Sequence, residues 1–149
     1  MFSRLYETHV NVADLERSMQ FYSETLELEL GTLEQTRRIA FYFIGGWNAS
    51  MLGLWEKPKD KILPQHFAFE VSLDRLEFVA ERLRGRGVEL TDFFGRIAAV
   101  PGVFGWMPAA SYYFYDPDGH QLEVLAKLPG SPRPELGITT LTEWYASQT

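Results

Sequence analysis

The stretch "YYFYDPDGHQLEVL", residues 112 to 125, sets an Asp-Pro-Asp-Gly segment between two runs rich in aromatic and apolar side chains. Each residue of that segment suits a turn. Proline presets φ, glycine accepts positive φ, and the aspartates can bond their own backbone. The stretch therefore reads as a β-hairpin with strands near 111–116 and 121–126. Strand alternation turns Glu123 away from Leu122 and Val124, so one carboxylate faces the side opposite the apolar one.

An earlier stretch has the same shape. "YFIGGWNASMLGLW", residues 42 to 55, carries "GGWN" (45 to 48) between expected strands at 39–44 and 50–55. Aligned on the two hairpins, "LGL" (52 to 54) falls on "LEV" (122 to 124), which sets Gly53 against Glu123. The similarity extends upstream. "LYETHVNV" (5 to 12) alternates, with Tyr6, Thr8, Val10 and Val12 on one face and Glu7, His9 and Asn11 on the other. "HFAFEV" (66 to 71) does the same, with Phe67, Phe69 and Val71 opposite His66, Ala68 and Glu70. A helix follows each strand. Asp14 caps the first, which carries the stripe Leu15, Met19, Tyr22 and Leu26. Asp74 and Glu77 predict a capping box for the second, whose stripe is Leu76, Val79, Ala80 and Leu83. A strand near 88–93 and a loop punctuated by Gly and Pro complete the second half.

Each half thus reads strand–helix–strand–strand–strand, the signature of a duplicated unit. The expected fold class is α+β, built from two tandem βαβββ modules. One domain spans 1–128, with module one at about 4–57 and module two at about 64–128. Residues 129–149 form a C-terminal extension, in which "TLTEWYA" (140 to 146) reads as a short helix or a docking segment.

Composition narrows the function. The chain has 149 residues, 46% hydrophobic and 23% charged, with a formal net charge of −6 and no cysteine. One domain with a sizeable core fits this length. An acidic chain without a basic run is a poor partner for nucleic acid or an anionic membrane. The absence of cysteine excludes disulfides, thiolate nucleophiles and cysteine-rich zinc sites. The longest uncharged apolar run, 97–110, is broken by Pro and Gly and falls short of the roughly 20 residues of a membrane helix. A soluble, cytoplasmic protein is expected.

The face assignment yields a constellation. His9, His66 and Glu123 each lie on the face of a strand turned away from the helices. Two imidazoles and one carboxylate suit a divalent transition metal, and three protein ligands leave open positions for substrate or water. His120 reads as a turn residue and Glu70 as a rim charge. Gly53 reads either as a bulge or close backbone approach, or as clearance for a substrate. The loop "DFFGRIAAVPGVFGWMPAAS" (92 to 111) supplies Phe93, Phe94, Phe104 and Trp106 for an apolar or aromatic small molecule, for the core, or for a partner subunit.

The segments "HVNVADLERSMQFYSETLELELG" (9 to 31), "HFAFEV" (66 to 71) and "YFYDPDGHQLEVL" (113 to 125) resemble the vicinal oxygen chelate superfamily. That superfamily includes glyoxalase I, extradiol dioxygenases, fosfomycin-modifying thiol transferases and bleomycin-resistance proteins. The resemblance implies that the two modules form a curved, half-open mixed sheet barrel around a metal site. It implies one divalent ion (Fe, Mn, Ni or Zn) on His9, His66 and Glu123, with Glu123 also able to act as catalytic base. It implies a substrate that chelates the metal through two adjacent oxygens, and a homodimer. Gly53, Phe94, Phe104, Trp106 and Ser111 are the expected substrate-binding residues. Ser111 falls where fosfomycin thiol transferases have a substrate-contacting serine, but "GWMPAAS" (105 to 111) lacks the basic residues that a phosphonate needs. Gly53 stands where glyoxalase I-like enzymes have a second glutamate. That places oxygenation slightly ahead of glyoxalase-type isomerisation. The rival expectation is a metal-free small-molecule or drug-binding protein of the bleomycin-resistance type.

Overall fold

The computed structural model describes residue 1 and residues 3–149. The chain divides into two compact units: residues 1–65 with 116–120, and residues 66–115 with 121–149. Both are α+β, as the duplicated pattern predicts.

The first unit runs β1 (Glu7–Val12), α1 (Leu15–Gln20), a π-helical turn (Phe21–Thr25), β2 (Glu29–Glu34), β3 (Ile39–Ile44) and β4 (Ser50–Glu56). Its sheet has the order β1-β4-β3-β2, with β1 parallel to β4 and the other pairs antiparallel. Two carboxylates start α1. Asp14 accepts from the Arg17 amide at 2.9 Å, and Glu56 accepts from the Leu15 amide at 2.8 Å. These satisfy donors that a helix start leaves open. Leu15 and Tyr22 from the stripe are buried, as are Val10, Val12, Ala40, Tyr42, Leu52 and Leu54 from the strands.

Residues 116–120, the hairpin tip, are a framework of this unit. The Asp116 carboxylate accepts from the amides of Asp118 (2.9 Å) and His120 (2.8 Å) and from the Tyr22 hydroxyl (3.0 Å). His120 is fully buried rather than a plain turn residue. One ring nitrogen donates to the Asn11 carbonyl at 2.8 Å, and the other accepts from the Gln65 amide at 3.1 Å. Arg17 pairs with Asp118 at 2.5 Å. Asp116→Ala removes one acceptor from three donors. It is expected to cost roughly 3 kcal/mol in denaturant unfolding, and Asp116→Asn, which keeps an acceptor oxygen, less than half of that.

The second unit contains β5 (His66–Glu70), a 3-10 turn (Leu73–Arg75), α2 (Leu76–Gly85), β6 (Gly102–Phe104), β7 (Ala109–Tyr115), β8 (Gln121–Lys127), β9 (Ile138–Thr139) and α3 (Leu141–Ala146). The sheet order is β5-β8-β7-β6-β9, with β5 parallel to β8. Leu76, Ala80 and Leu83 of α2 are buried, as are Leu122, Val124 and Ala126 of β8.

Two local expectations differ from the structure. The capping box at Asp74 and Glu77 does not form. Arg75 stands at the cap without a side-chain bond, because the Glu77 carboxylate accepts from the Tyr112 hydroxyl at 2.8 Å instead. The strand expected near 88–93 shrinks to a bridge at Thr91, which pairs with Tyr113. Pairing stops there because the Asp92 carboxylate accepts from the amides of Phe94 (2.9 Å) and Arg96 (3.0 Å) and closes a turn. The module's next strand is β6, further along the loop.

Residues 129–149 pack within this unit. β9 pairs with β6, and the Arg133 carbonyl approaches Gly105 so closely that a Cβ there would lie 2.3 Å from it. Trp144 is fully buried and donates its indole N–H to the Pro129 carbonyl at 3.3 Å. It is core, and "TLTEWYA" forms the short helix expected of it. Among the described residues, no helix is long and apolar enough to cross a membrane.

Candidate functional site

In the second unit, register brings the expected carboxylate to the expected imidazole. Glu123 pairs with Ala68 of β5 on one side and Tyr113 of β7 on the other, and His66 pairs with Gln121. Parity puts His66, Ala68, Glu123, Tyr113 and Ser111 on one face of the sheet. Glu123 is only 4% exposed. Its Oε2 lies 3.3 Å from His66 Nε2, and its Oε1 is buried with no hydrogen-bond partner.

The His66 ring is oriented by its other nitrogen. Nδ1 lies 3.1 Å from the Gln121 carbonyl, which can only accept, so Nδ1 donates there. That leaves Nε2 facing a carboxylate oxygen at 3.3 Å, beside a buried carboxylate oxygen without a partner. An imidazole nitrogen and a carboxylate so placed are a donor set that a divalent cation would satisfy. A carbonyl behind an imidazole is also the usual outer support of a metal-bound histidine.

The surroundings are aromatic, although His66 itself is exposed. Tyr113 is buried, and its ring stacks on the His66 ring at 5.8 Å and 29°. Burial first, and then the Glu123 charge, push the Tyr113 phenol well above its ordinary range. Ser111 Oγ is a second buried polar atom without a partner. Phe104 and Phe93 stand edge-to-face at 5.6 Å, and Phe93 meets Tyr113 at 6.1 Å. Of the other expected substrate residues, Phe94 is exposed and lies against the Arg96 guanidinium at 5.0 Å, while Trp106 is exposed on the turn before β7. Glu70 is paired with Lys127 at 3.0 Å.

The first unit repeats the motif with one change. His9 pairs with Gly53, as His66 pairs with Gln121. By register the counterpart of Glu123 is therefore Trp55, two residues beyond Gly53. A two-residue offset preserves the face, so strand alternation does not reveal it. The parallel extends to contact. The Trp55 indole N–H donates to His9 Nδ1, just as the Glu123 carboxylate meets His66. His9 Nε2 lies 2.9 Å from the Glu7 carboxylate, which holds the proton there. In His9, then, Nδ1 accepts and Nε2 donates, and both nitrogens are engaged. Ligation through Nε2 would require the proton on Nδ1, and the Trp55 bond would have to break. Trp55→Phe is expected to let His9 populate the Nδ1–H form, visible in 15N spectra of the imidazole.

Gly53 lies beneath this ring. A Cβ there would sit 3.0 Å from His9 Nδ1 and 3.1 Å from the Phe41 ring. The space over Gly53 is filled by imidazole. Gly53→Ala is expected to displace His9 from Trp55 and to cost about 1–2 kcal/mol by overpacking, read by denaturant unfolding together with the same 15N signal. Among the described residues, neither unit by itself gathers three His, Cys, Asp or Glu side chains able to hold a metal ion.

Trp55, Tyr113 and Glu7 were not singled out from the sequence. Tyr113 had a signal: it mirrors Glu123 across the hairpin and shares a face with Ser111. Trp55 had none, because its role depends on register.

A fold of paired βαβββ modules, with an imidazole and a carboxylate on one sheet face, defines a class, and a family model matches it. The chain belongs to the Glyoxalase/Bleomycin resistance protein/Dioxygenase superfamily, whose model covers residues 4–124. Among individual relatives, the glutathione transferase FosA of Serratia marcescens is 28% identical over 138 residues, covering 83% of this chain and 81% of that protein. The integron cassette protein HFX_CASS4, from the mobile metagenome of the Halifax Harbour sewage outfall, is 38% identical. Its match has a TM-score of 0.73 and covers 84% of this chain and 99% of that one. Oxidase ChaP-H2 is 28% identical with a TM-score of 0.69, covering 89% of this chain and all of that one (100%).

Proposed function

We propose that this protein is a divalent-metal-dependent enzyme acting on a small apolar or aromatic molecule that offers two adjacent oxygens, with oxygenation as its reaction. The observation that carries the reading is the His66–Glu123 pair, in which Nε2 lies 3.3 Å from a buried carboxylate whose second oxygen has no partner. These two residues fit a divalent cation of the Fe, Mn, Ni or Zn type, by donor set and by the carbonyl behind His66. His9 is the third proposed ligand on the logic of the repeat alone. Such a cation, when bound, supplies Lewis-acid polarisation of substrate oxygens. The chain's own residues do the rest. Gln121 orients the His66 ring, Tyr113 and Phe104 supply an aromatic wall, and Ser111 Oγ is the proposed hydrogen-bond partner of a substrate oxygen. Glu123 is the proposed base.

Oxygenation is placed ahead of group transfer for two reasons. The likeness to Oxidase ChaP-H2 spans both chains almost entirely. The arginines flanking the site are committed: Arg96 to Asp92 at 2.7 Å, and Arg133 to Glu135 at 3.6 Å and to the Ser147 carbonyl. A phosphonate would compete with a carboxylate for either guanidinium. The acidic, cysteine-free chain suits the cytoplasm, and a homodimer is proposed as its assembly. The test is dioxygen uptake by Fe2+-reconstituted protein given catechol. Uptake in step with catechol loss supports oxygenation. Turnover of a hemithioacetal without uptake would replace it with isomerisation.

A further inference from the structure

We propose that the first unit carries a binding site of its own, a surface pocket that takes the phosphate group of a small phosphate monoester. The pocket shares no residue with the His66–Glu123 pair, and the proposal does not rest on the reading of that pair.

The pocket has a volume of about 270 Å3 and is lined by Ala13, Arg17, Lys59, Ile62, Pro117 and Asp118. All six belong to the first unit. Arg17 comes from α1, Lys59 from a 3-10 turn (Lys59–Lys61) after β4, and Asp118 from the hairpin tip.

Its polar lining suits an anion. The Asp118 side chain is only 5% exposed, and each of its oxygens is engaged. One accepts from Arg17 Nη2 at 2.5 Å and the other from Ser18 Oγ at 3.2 Å. The Asp118 amide is itself held by the Asp116 carboxylate at 2.9 Å, so the carboxylate stands on a fixed turn. It therefore anchors the Arg17 guanidinium by one corner. Nε and Nη1 of Arg17 have no partner among the described residues, and neither does Lys59 Nζ. Arg96 differs, because both its Nε and its Nη2 are spent on Asp92.

Two cations against one carboxylate leave the lining positive, on a chain whose formal net charge is −6. A guanidinium anchored at one corner keeps a planar fork of donors for phosphate oxygens, and a lysine adds a point charge. Ala13, Ile62 and Pro117 make the rest of the lining apolar. Inorganic phosphate would leave that surface uncovered, whereas a short organic substituent would cover it. The volume lies at the lower end for ligand pockets and suits a small ester.

The test titrates ethyl phosphate calorimetrically into the full chain at low ionic strength, with inorganic phosphate and propionate as comparators. Ethyl phosphate is expected to bind at one site, about threefold tighter than inorganic phosphate and about tenfold tighter than propionate. Lys59→Gln, an exposed substitution, is expected to weaken it about fivefold, and Arg17→Lys, which keeps the charge but loses the fork, by at least as much. Ethyl phosphate should also raise the urea midpoint of the native chain more than that of Lys59→Gln, since a ligand stabilises the state it binds. Glu123→Gln is expected to bind it as the native chain does. No binding, or binding that both Lys59→Gln and Arg17→Lys leave unaltered, overturns the proposal. So does propionate binding as tightly as ethyl phosphate. Binding lost in Glu123→Gln also overturns it, because the phosphate would then sit at the other site.

Discussion

Glu123→Gln is expected to weaken divalent-metal binding by about 100-fold or more while leaving the metal-free protein as stable as before, or more stable. The two effects share one cause. The Glu123 carboxylate is almost wholly buried, one of its oxygens has no partner, and the other faces His66. A buried charge with incomplete partners opposes folding, and a neutral amide of the same shape relieves that opposition. The same charge is what a cation requires, and an amide oxygen does not replace it. Competition against a chromophoric chelator reads the first effect, and the urea midpoint of chelator-treated protein reads the second. If Glu123 were an ordinary structural residue, the substitution would cost stability and leave metal binding alone.

Trp144→Ala is expected to destabilise the protein by roughly 3–5 kcal/mol, the range for deleting a large aromatic side chain from a core. The side chain is fully buried, and its N–H is bonded to Pro129. It fastens α3 over a segment already tied to the sheet through β9 and through the contact at Gly105. Trp144→Phe should recover more than half of the loss, since it keeps most of the buried area and leaves one carbonyl unpaired. Denaturant unfolding of the three proteins measures this. A loss below 1 kcal/mol for Trp144→Ala would show that residues 129–149 merely cover a unit that stands without them.

Much of the fold could be read from the residues, because period and turn chemistry are local. The hairpin around 116–119, the capping by Asp14, the stripe on α2 and the faces of β1, β5 and β8 depend on neighbours a few positions away. The parts that escaped depend on distant partners. The register that makes Trp55 the counterpart of Glu123 preserves parity and leaves no trace in alternation. Glu77 abandons its cap for the Tyr112 hydroxyl, a partner on another element. The strand expected at 88–93 ends at Thr91 because Asp92 bonds its own backbone. His120, read as a turn residue, is buried by bonds to Asn11 and Gln65. For the site, strand alternation puts His66 and Glu123 on one face, and the register agrees. It could not reveal that the Gln121 carbonyl orients one histidine toward Glu123 while an indole N–H bonds the other.

The central claim is that the His66–Glu123 pair belongs to a metal centre. The most direct test is the metal content of the native chain and of Glu123→Gln, each purified without chelator and measured by inductively coupled plasma mass spectrometry. The account predicts about one divalent transition-metal ion per native chain, and its loss in the variant. A native chain without such an ion, or a variant that retains it in full, would contradict the account.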